Sequence, residues 1–293
     1  MSDKKECGSC ETSSCSAQKQ KPDEQLEEFL ERQALTNQMC KIKNKILVLS
    51  GKGGVGKSTV SANLAVSLSL KGKQVGLLDV DIHGPSIPTL LGIKNPQIMK
   101  KGDKIIPLEA SPNLKVMSIA FLLGNPDDPI IWRGPMKMSM IKQFLKDVEW
   151  GDLDYLIIDF PPGTGDEPLS TAQLISEDRK AIIVSTPQEV ALADVRKSVN
   201  FCKQLDLPIL GVVENMSGFV CPHCNEITNI FKNGGAEKMC NDMDIPFLGK
   251  LPIDPELVVT ADAGDIFVHQ NAETQITKPF HNIVEKIIEN NNE

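Results

Sequence analysis

The chain has 293 residues, 41% hydrophobic and 24% charged, enough for one large α/β domain with its own core, and this composition excludes a fibrous or wholly disordered chain. A formal net charge of -8 argues against nucleic acid or an anionic membrane as the partner of a broad surface. No run reaches the roughly 18 to 20 apolar residues that span a bilayer, and Met1 to Gln20 has no apolar core of a secretory leader. The expectation is a cytoplasmic protein whose eight cysteines are reduced thiols.

In chain order, residues 1–22 read as a mobile polar tail whose distinctive chemistry is Cys7, Cys10 and Cys15. Residues 23–40 follow as a lead-in helix, with Leu26, Phe29, Leu30 and Leu35 as its apolar positions. Residues 41–293 form the main domain. Apolar runs at 46–50, 75–81, 155–160, 181–185 and 209–215 alternate with helical stretches. Continuous apolar runs mean strands buried on both faces, so the pattern predicts an α/β fold with a single doubly wound, mostly parallel sheet. In such sheets the loops at the carboxyl ends of the strands build the site. A closing helix is predicted over 279–288, with Phe280, Ile283, Val284 and Ile287 on one side. Cys40, Cys202 and Cys240 stand alone and read as ordinary small side chains.

Directly after the first strand comes Gly51, Lys52, Gly53, Gly54, Val55, Gly56, Lys57, Ser58 and Thr59, which satisfies GxxxxGK[ST] between a strand and a helix predicted at 58–70. Glycines let the backbone wrap phosphate oxygens with its N–H groups inward, and the helix N-terminus adds positive potential. Lys57 is expected to bridge the β- and γ-phosphates of ATP and Ser58 to ligate Mg2+. The second strand ends in Asp79 and Asp81, which alternation puts on one face, an arrangement that suits magnesium. Another strand ends at Asp159, followed by Pro161, Pro162, Gly163, Thr164, Gly165 and Asp166.

Lys52 is not demanded by the general phosphate-loop pattern. With it, the loop resembles the deviant Walker A ATPases, the group of the nitrogenase iron protein, arsenite-pump ATPases, MinD and ParA. The resemblance implies that Lys52 reaches the nucleotide of the other subunit in a dimer, so that hydrolysis depends on closure. It also implies that Asp81 positions the attacking water, that Asp79 is an outer-sphere neighbour of the magnesium, and that Asp159 holds the ion through water. Asn215 and Pro252 resemble the family's base-binding segments.

Cys221 and Cys224 interrupt a strand-to-helix connection near 217–230. Two thiolates at this spacing converge on one metal, but tetrahedral zinc or a 4Fe-4S cluster wants four ligands, and a second copy across a twofold axis supplies the missing pair. A structural zinc knuckle and a redox CxxC are the competing readings, with His223 as a spacer; no thioredoxin-like unit surrounds the pair.

The segments GKGGVGKST, DVDIHGPSIP, WRGPM, DFPPGTGD and ENMSGFVCPHC, in that order over residues 40–290, resemble the Mrp or ApbC-like iron-sulfur cluster carriers. That resemblance implies a homodimer with slow, regulatory ATP hydrolysis, a labile 4Fe-4S cluster bridged by Cys221 and Cys224, and donation to iron-sulfur apoproteins. Zinc is a substitute occupant. The tail resembles the amino-terminal cluster motif of the eukaryotic cytosolic scaffolds, which uses four cysteines where three stand here; either Cys40, another subunit or a non-protein group supplies the fourth ligand, or the tail binds metal only transiently, with exposed incidental thiols as the competing reading. A MinD- or ParA-like positioning ATPase shares the nucleotide motifs but needs a basic amphipathic helix or a DNA-binding surface, and the last helix, with Glu285 and Glu289 beside Lys278 and Lys286, offers neither. A zinc-stabilised ATPase and an electron-transfer reductase are the other rivals; in the nitrogenase iron protein the cluster ligands come from two separate single-cysteine loops.

Overall fold

The computed structural model describes residues 20, 24–82, 84–94, 96–122, 134–175, 178–221, 223–224, 226–264 and 277–292. Its centre is an eight-stranded sheet in the order β12-β9-β8-β1-β7-β2-β6-β5. The strands are β1 (Ile42–Ser50), β2 (Val75–Asp79), β5 (Leu108–Ser111), β6 (Leu114–Ser118), β7 (Leu153–Asp159), β8 (Arg179–Ser185), β9 (Ile209–Glu214) and β12 (Phe247–Lys250). Every pairing is parallel except the edge pair β5 with β6. The sheet grows outward from β1 in both directions, so the phosphate loop leaves β1 where the winding reverses, the place where open α/β sheets bind ligands.

The central strands are buried because their residues are apolar on both faces. Ile46, Leu47 and Val48 in β1, Leu156, Ile157 and Ile158 in β7, and Ile182, Ile183 and Val184 in β8 have no exposed surface. Helix α2 (Lys57–Leu70) packs on β1, β2 and β7 and is buried nearly all round; its Ser61, Ala62, Ala65 and Ser67 are small enough for a close approach to the sheet. Around the sheet lie α1 (Leu26–Met39), α3 (Ile87–Leu90), α4 (Gly134–Asp147), α5 (Asp166–Leu174), α6 (Glu189–Gln204), α7 (Gly235–Met243), α8 (Pro255–Ala263) and α9 (Thr277–Asn292). Helix α9 buries Phe280, Ile283, Val284 and Ile287, the stripe its periodicity predicts.

Two features differ from the sequence reading. In α1, Leu26 and Leu30 remain 63% and 54% exposed. Its burial falls to Leu35, Gln38 and Met39 in the second half, where Gln38 Nε2 donates to the Val148 carbonyl at 2.9 Å. Between α3 and α4 the chain also forms β3 (Met99–Lys101), paired antiparallel with β4 (Lys104–Ile106), and then β5 and β6. The strands β3, β4 and β5 are only three or four residues long, β3 is exposed throughout and β5 at its two middle residues, so they leave no long buried apolar run to read.

Candidate functional site

Strands β1, β2 and β7 end level with one another, Asp79 standing opposite Asp159 and Val48 opposite Asp159 in the parallel ladders. That register sets acidic groups beside the phosphate loop. Lys57, the first residue of α2, places Nζ 2.8 Å from Asp159 Oδ2 and 3.6 Å from Asp81. Ser58 Oγ donates to Asp159 Oδ2 at 2.6 Å and Ser61 Oγ to Asp159 Oδ1 at 2.7 Å. Asp159, buried completely, thus has both oxygens engaged by hydroxyls and an ammonium, which offset the cost of removing the charge from water. A hydroxyl and a carboxylate touching at one point are the hard oxygen set that magnesium takes, and they fit that ion.

A cleft of about 260 Å³ opens beside these groups, with Lys52, Lys57, Ser58, Asp81 and Pro162 among its walls. Gly163 N–H donates to the Ser50 carbonyl at 2.8 Å, so the loop after β7 is tied to the end of β1. Gly56 has φ +81° at the N-terminus of α2, in the left-handed region, and a Cβ there would come within 2.2 Å of Asn215 Nδ2. That side chain donates to the Val55 carbonyl at 2.9 Å, pinning the phosphate loop to the end of β9 across 160 residues of chain. Asp79 is completely buried, and Ser118 Oγ and the Asp81 N–H donate to it. Burial first, and then the charge of Asp159, push its carboxyl up to about 8. Burial likewise raises Asp81, against the pull of Lys57.

The sequence-predicted residues therefore divide. Gly53, Gly54, Thr59, Lys52, Lys57, Ser58 and Asp81 meet at one cleft. Asp159 lies directly behind it, and Asp79 sits deeper, away from its wall. Asn215 grips the phosphate loop from outside that wall, whereas Pro252 lies half-buried in the segment between β12 and α8. Three partners were not anticipated. Ser61 recurs at helical spacing from Lys57 and could have been read from the motif's own helix, but Ser118 meets Asp79 only through strand order, which the sequence does not display. The third, Glu214, ends β9 and would pass for a surface acid.

Cys221 and Cys224 stand on a hairpin formed by β10 (Phe219–Val220) and β11 (Ile227–Thr228), with the Cys221 N–H donating to the Glu226 carbonyl at 3.0 Å. Cys224 is exposed and Cys221 half-exposed. Backbone N–H groups of His223 and then Cys224 point at the Cys221 sulfur and hold its thiol below the usual range, the surroundings of a metal-binding thiolate. Among the described residues, no group of three or more His, Cys, Asp or Glu side chains gathers as a metal site, so the described part of one chain brings no third such side chain to this pair. Burial pushes Cys202 and Cys240 up to about 12, which leaves them inert. Cys7, Cys10 and Cys15 lie outside the described residues. No helix among the described residues is long and apolar enough to cross a membrane.

Comparison with known proteins identifies relatives of the chain. An iron-sulfur cluster carrier protein of Methanocaldococcus jannaschii is 47% identical over 285 residues, 97% of each chain. A cytosolic Fe-S cluster assembly factor, the NUBP1 homolog of Caenorhabditis briggsae, is 50% identical over 259 residues, 86% of this chain and 83% of that one. Among solved structures, a nucleotide-binding protein from Archaeoglobus fulgidus in complex with ADP superposes with a TM-score of 0.73 at 41% identity, covering 84% of this chain and 96% of that one. Residues 41–288 match the family described as ParA, NUBPL iron-transfer P-loop NTPase. With a phosphate loop at the centre of a doubly wound sheet and that match over most of its length, the chain belongs to the NUBPL iron-transfer P-loop NTPases of the ParA group.

Proposed function

We propose that this protein is an ATP-dependent carrier that holds a labile 4Fe-4S cluster between two copies of itself and passes it to iron-sulfur apoproteins in the cytoplasm. The observation that carries the proposal is the hairpin pair Cys221 and Cys224, half-exposed and exposed, and two ligands short of a closed site. A twofold partner provides the other two sulfurs. The names of the archaeal and nematode relatives support iron-sulfur cargo, and the ADP complex of the A. fulgidus protein supports nucleotide in the cleft.

The nucleotide chemistry follows from the side chains. Gly51 to Thr59 wrap the phosphates, and Lys57 leaves its pairing with Asp159 to bridge the β- and γ-phosphates. Ser58 and Asp159, freed of each other, would hold magnesium, whose positive charge would offset the negative charge that develops in phosphoryl transfer. Asp81, on the cleft wall, orients the attacking water, and Asp79 supports the site from behind. Asn215 and Pro252 flank the base. Lys52 reaches into the partner's site, so hydrolysis is slow and regulatory, gated by closure of the dimer. The tail cysteines Cys7, Cys10 and Cys15 assist as a second sulfur site.

Anaerobic reconstitution tests the carrier directly. Wild type should bind iron and sulfide in equal amounts and activate an iron-sulfur apoenzyme, while Cys221→Ala with Cys224→Ala should bind ATP normally and lose the cluster at the dimer interface. Zinc retained in place of iron under the same conditions, or donation undiminished in the double variant, would sink the proposal.

A further inference from the structure

Glu214, the last residue of β9, is completely buried. A carboxylate in that position needs donors to offset its lost hydration. It has three: Ser217 Oγ and the Gly234 N–H, the latter at 2.8 Å, both to Oε1, and the Ala236 N–H at 2.6 Å to Oε2. These donors come from the two ends of one loop. Ser217 leads out to the cysteine hairpin, and Gly234 and Ala236 bring the chain back into the first turn of α7, whose N-terminal amides favour a negative charge. One side chain therefore closes the base of the segment that bears Cys221 and Cys224.

The neighbouring residue faces the other way. Asn215 donates to the Val55 carbonyl of the phosphate loop, and its own N–H donates to the Ser185 carbonyl at 2.8 Å. Further bonds fix the outgoing arm, from the Ser217 N–H to the Leu251 carbonyl at 2.8 Å and from the Ile253 N–H to the Gly218 carbonyl at 2.7 Å. We propose that Glu214 is a positioning residue that clamps both ends of the cysteine loop to the strand end whose next residue, Asn215, grips the phosphate loop. A displacement of Val55 when ATP binds is then delivered through Asn215 and Glu214 to the hairpin, where a loose loop would absorb it. The consequence for the cluster rests on the carrier reading above; the clamp itself is a property of the protein without cargo.

Glu214→Gln conserves shape but turns one acceptor oxygen into an N–H donor, stranding at least one of the three buried donors. The experiment is backbone hydrogen exchange on the full cluster-free chain, with and without ATP and magnesium, followed by chelator-driven iron loss from reconstituted protein. In wild type, the hydrogen-bonded amides of the segment 215–236, among them those of Asn215, Ser217, Cys221, Gly234 and Ala236, should be protected and should respond to ATP. In Glu214→Gln, exchange across that segment should rise at least tenfold and cease to respond to ATP, while α2 and α6 stay protected and ATP still binds. Ser217→Ala removes one donor of the three and should shift the same amides less, in the same direction; it carries the test should Glu214→Gln fail to fold. Iron loss should be several-fold faster in the variants and insensitive to nucleotide. Unchanged exchange with an intact ATP response in either folded variant overturns the clamp. Wild type that holds no cluster on Cys221 and Cys224, with the exchange results as expected, leaves the clamp standing and removes the carrier.

Discussion

Asp79 is the side chain in the site most at odds with its surroundings, an acid with no exposed surface facing the Asp159 carboxylate across a strand pair. Its folded pKa of about 8 lies well above the ordinary carboxylate value near 3.9 that it takes in the unfolded chain. An acid raised in this way stabilises the fold fully below the unfolded value, and that contribution is lost as pH rises through the folded one. Without nucleotide or magnesium, the wild type should therefore lose stability between about pH 4 and pH 8, by at most about 1.4 kcal/mol per pH unit from this group. Asp79→Asn, which can still pair with Ser118 and the Asp81 N–H, should lack that slope, so the gap between variant and wild type in urea unfolding should widen toward pH 8 in the variant's favour. Parallel pH profiles would mean that Asp79 stays ionised in the folded protein.

The phosphate loop and the end of β9 act as one unit because a glycine separates them. Gly56→Ala would force an L residue to φ +81° and drive its Cβ into Asn215 Nδ2, breaking the bond to Val55. The expected loss is about 1–3 kcal/mol of unfolding free energy, together with severe loss of ATP affinity; wild-type values in urea unfolding and nucleotide titration would contradict the packing. The two sides of this contact were unequally legible in the sequence. The loop announces itself, since a continuous apolar strand, GxxxxGK[ST] and a helix follow one another within about two dozen residues. The parallel sheet is legible for the same reason, through apolar runs such as 46–50 and 181–185. That Asn215 would meet Val55, or that Ser118 would support Asp79, depends on which strands become neighbours, and neither partner carries a local signal. Glu214 is the sharpest case, a carboxylate whose meaning comes from amides 20 and 22 residues away. On α1 the helical period is present, but Leu26 and Leu30 stay exposed while burial falls to Leu35, Gln38 and Met39, a division the period alone does not show.

At the scale of the whole molecule, the described residues of a single chain leave two groups without a counterpart: a thiol pair with no third metal-binding side chain beside it, and a lysine in the phosphate loop with no ion pair. Lys52 is half-exposed on the cleft wall and makes no ion pair among the described residues, whereas Lys57 in the same loop is held by Asp159 and Asp81. If Lys52 serves the partner's nucleotide, one working site needs Lys57 from one subunit and Lys52 from the other. Lys52→Ala and Lys57→Ala should then each abolish hydrolysis, the first by loss of charge stabilisation worth roughly 100-fold or more, the second by loss of nucleotide itself. Mixed together they should complement. A heterodimer holds one site in which an intact phosphate loop from the Lys52→Ala subunit meets an intact Lys52 from the Lys57→Ala subunit. With random pairing, half the dimers are mixed and each carries one of two sites, so activity should recover to at most about a quarter of wild type. The recovery should rise with total protein concentration, as a bimolecular assembly requires, and vanish on dilution. A mixture no more active than the sum of its parts, at concentrations where wild type hydrolyses ATP, would put Lys52 in its own subunit's site and leave the cysteine hairpin without a nucleotide-driven reason to meet its twin.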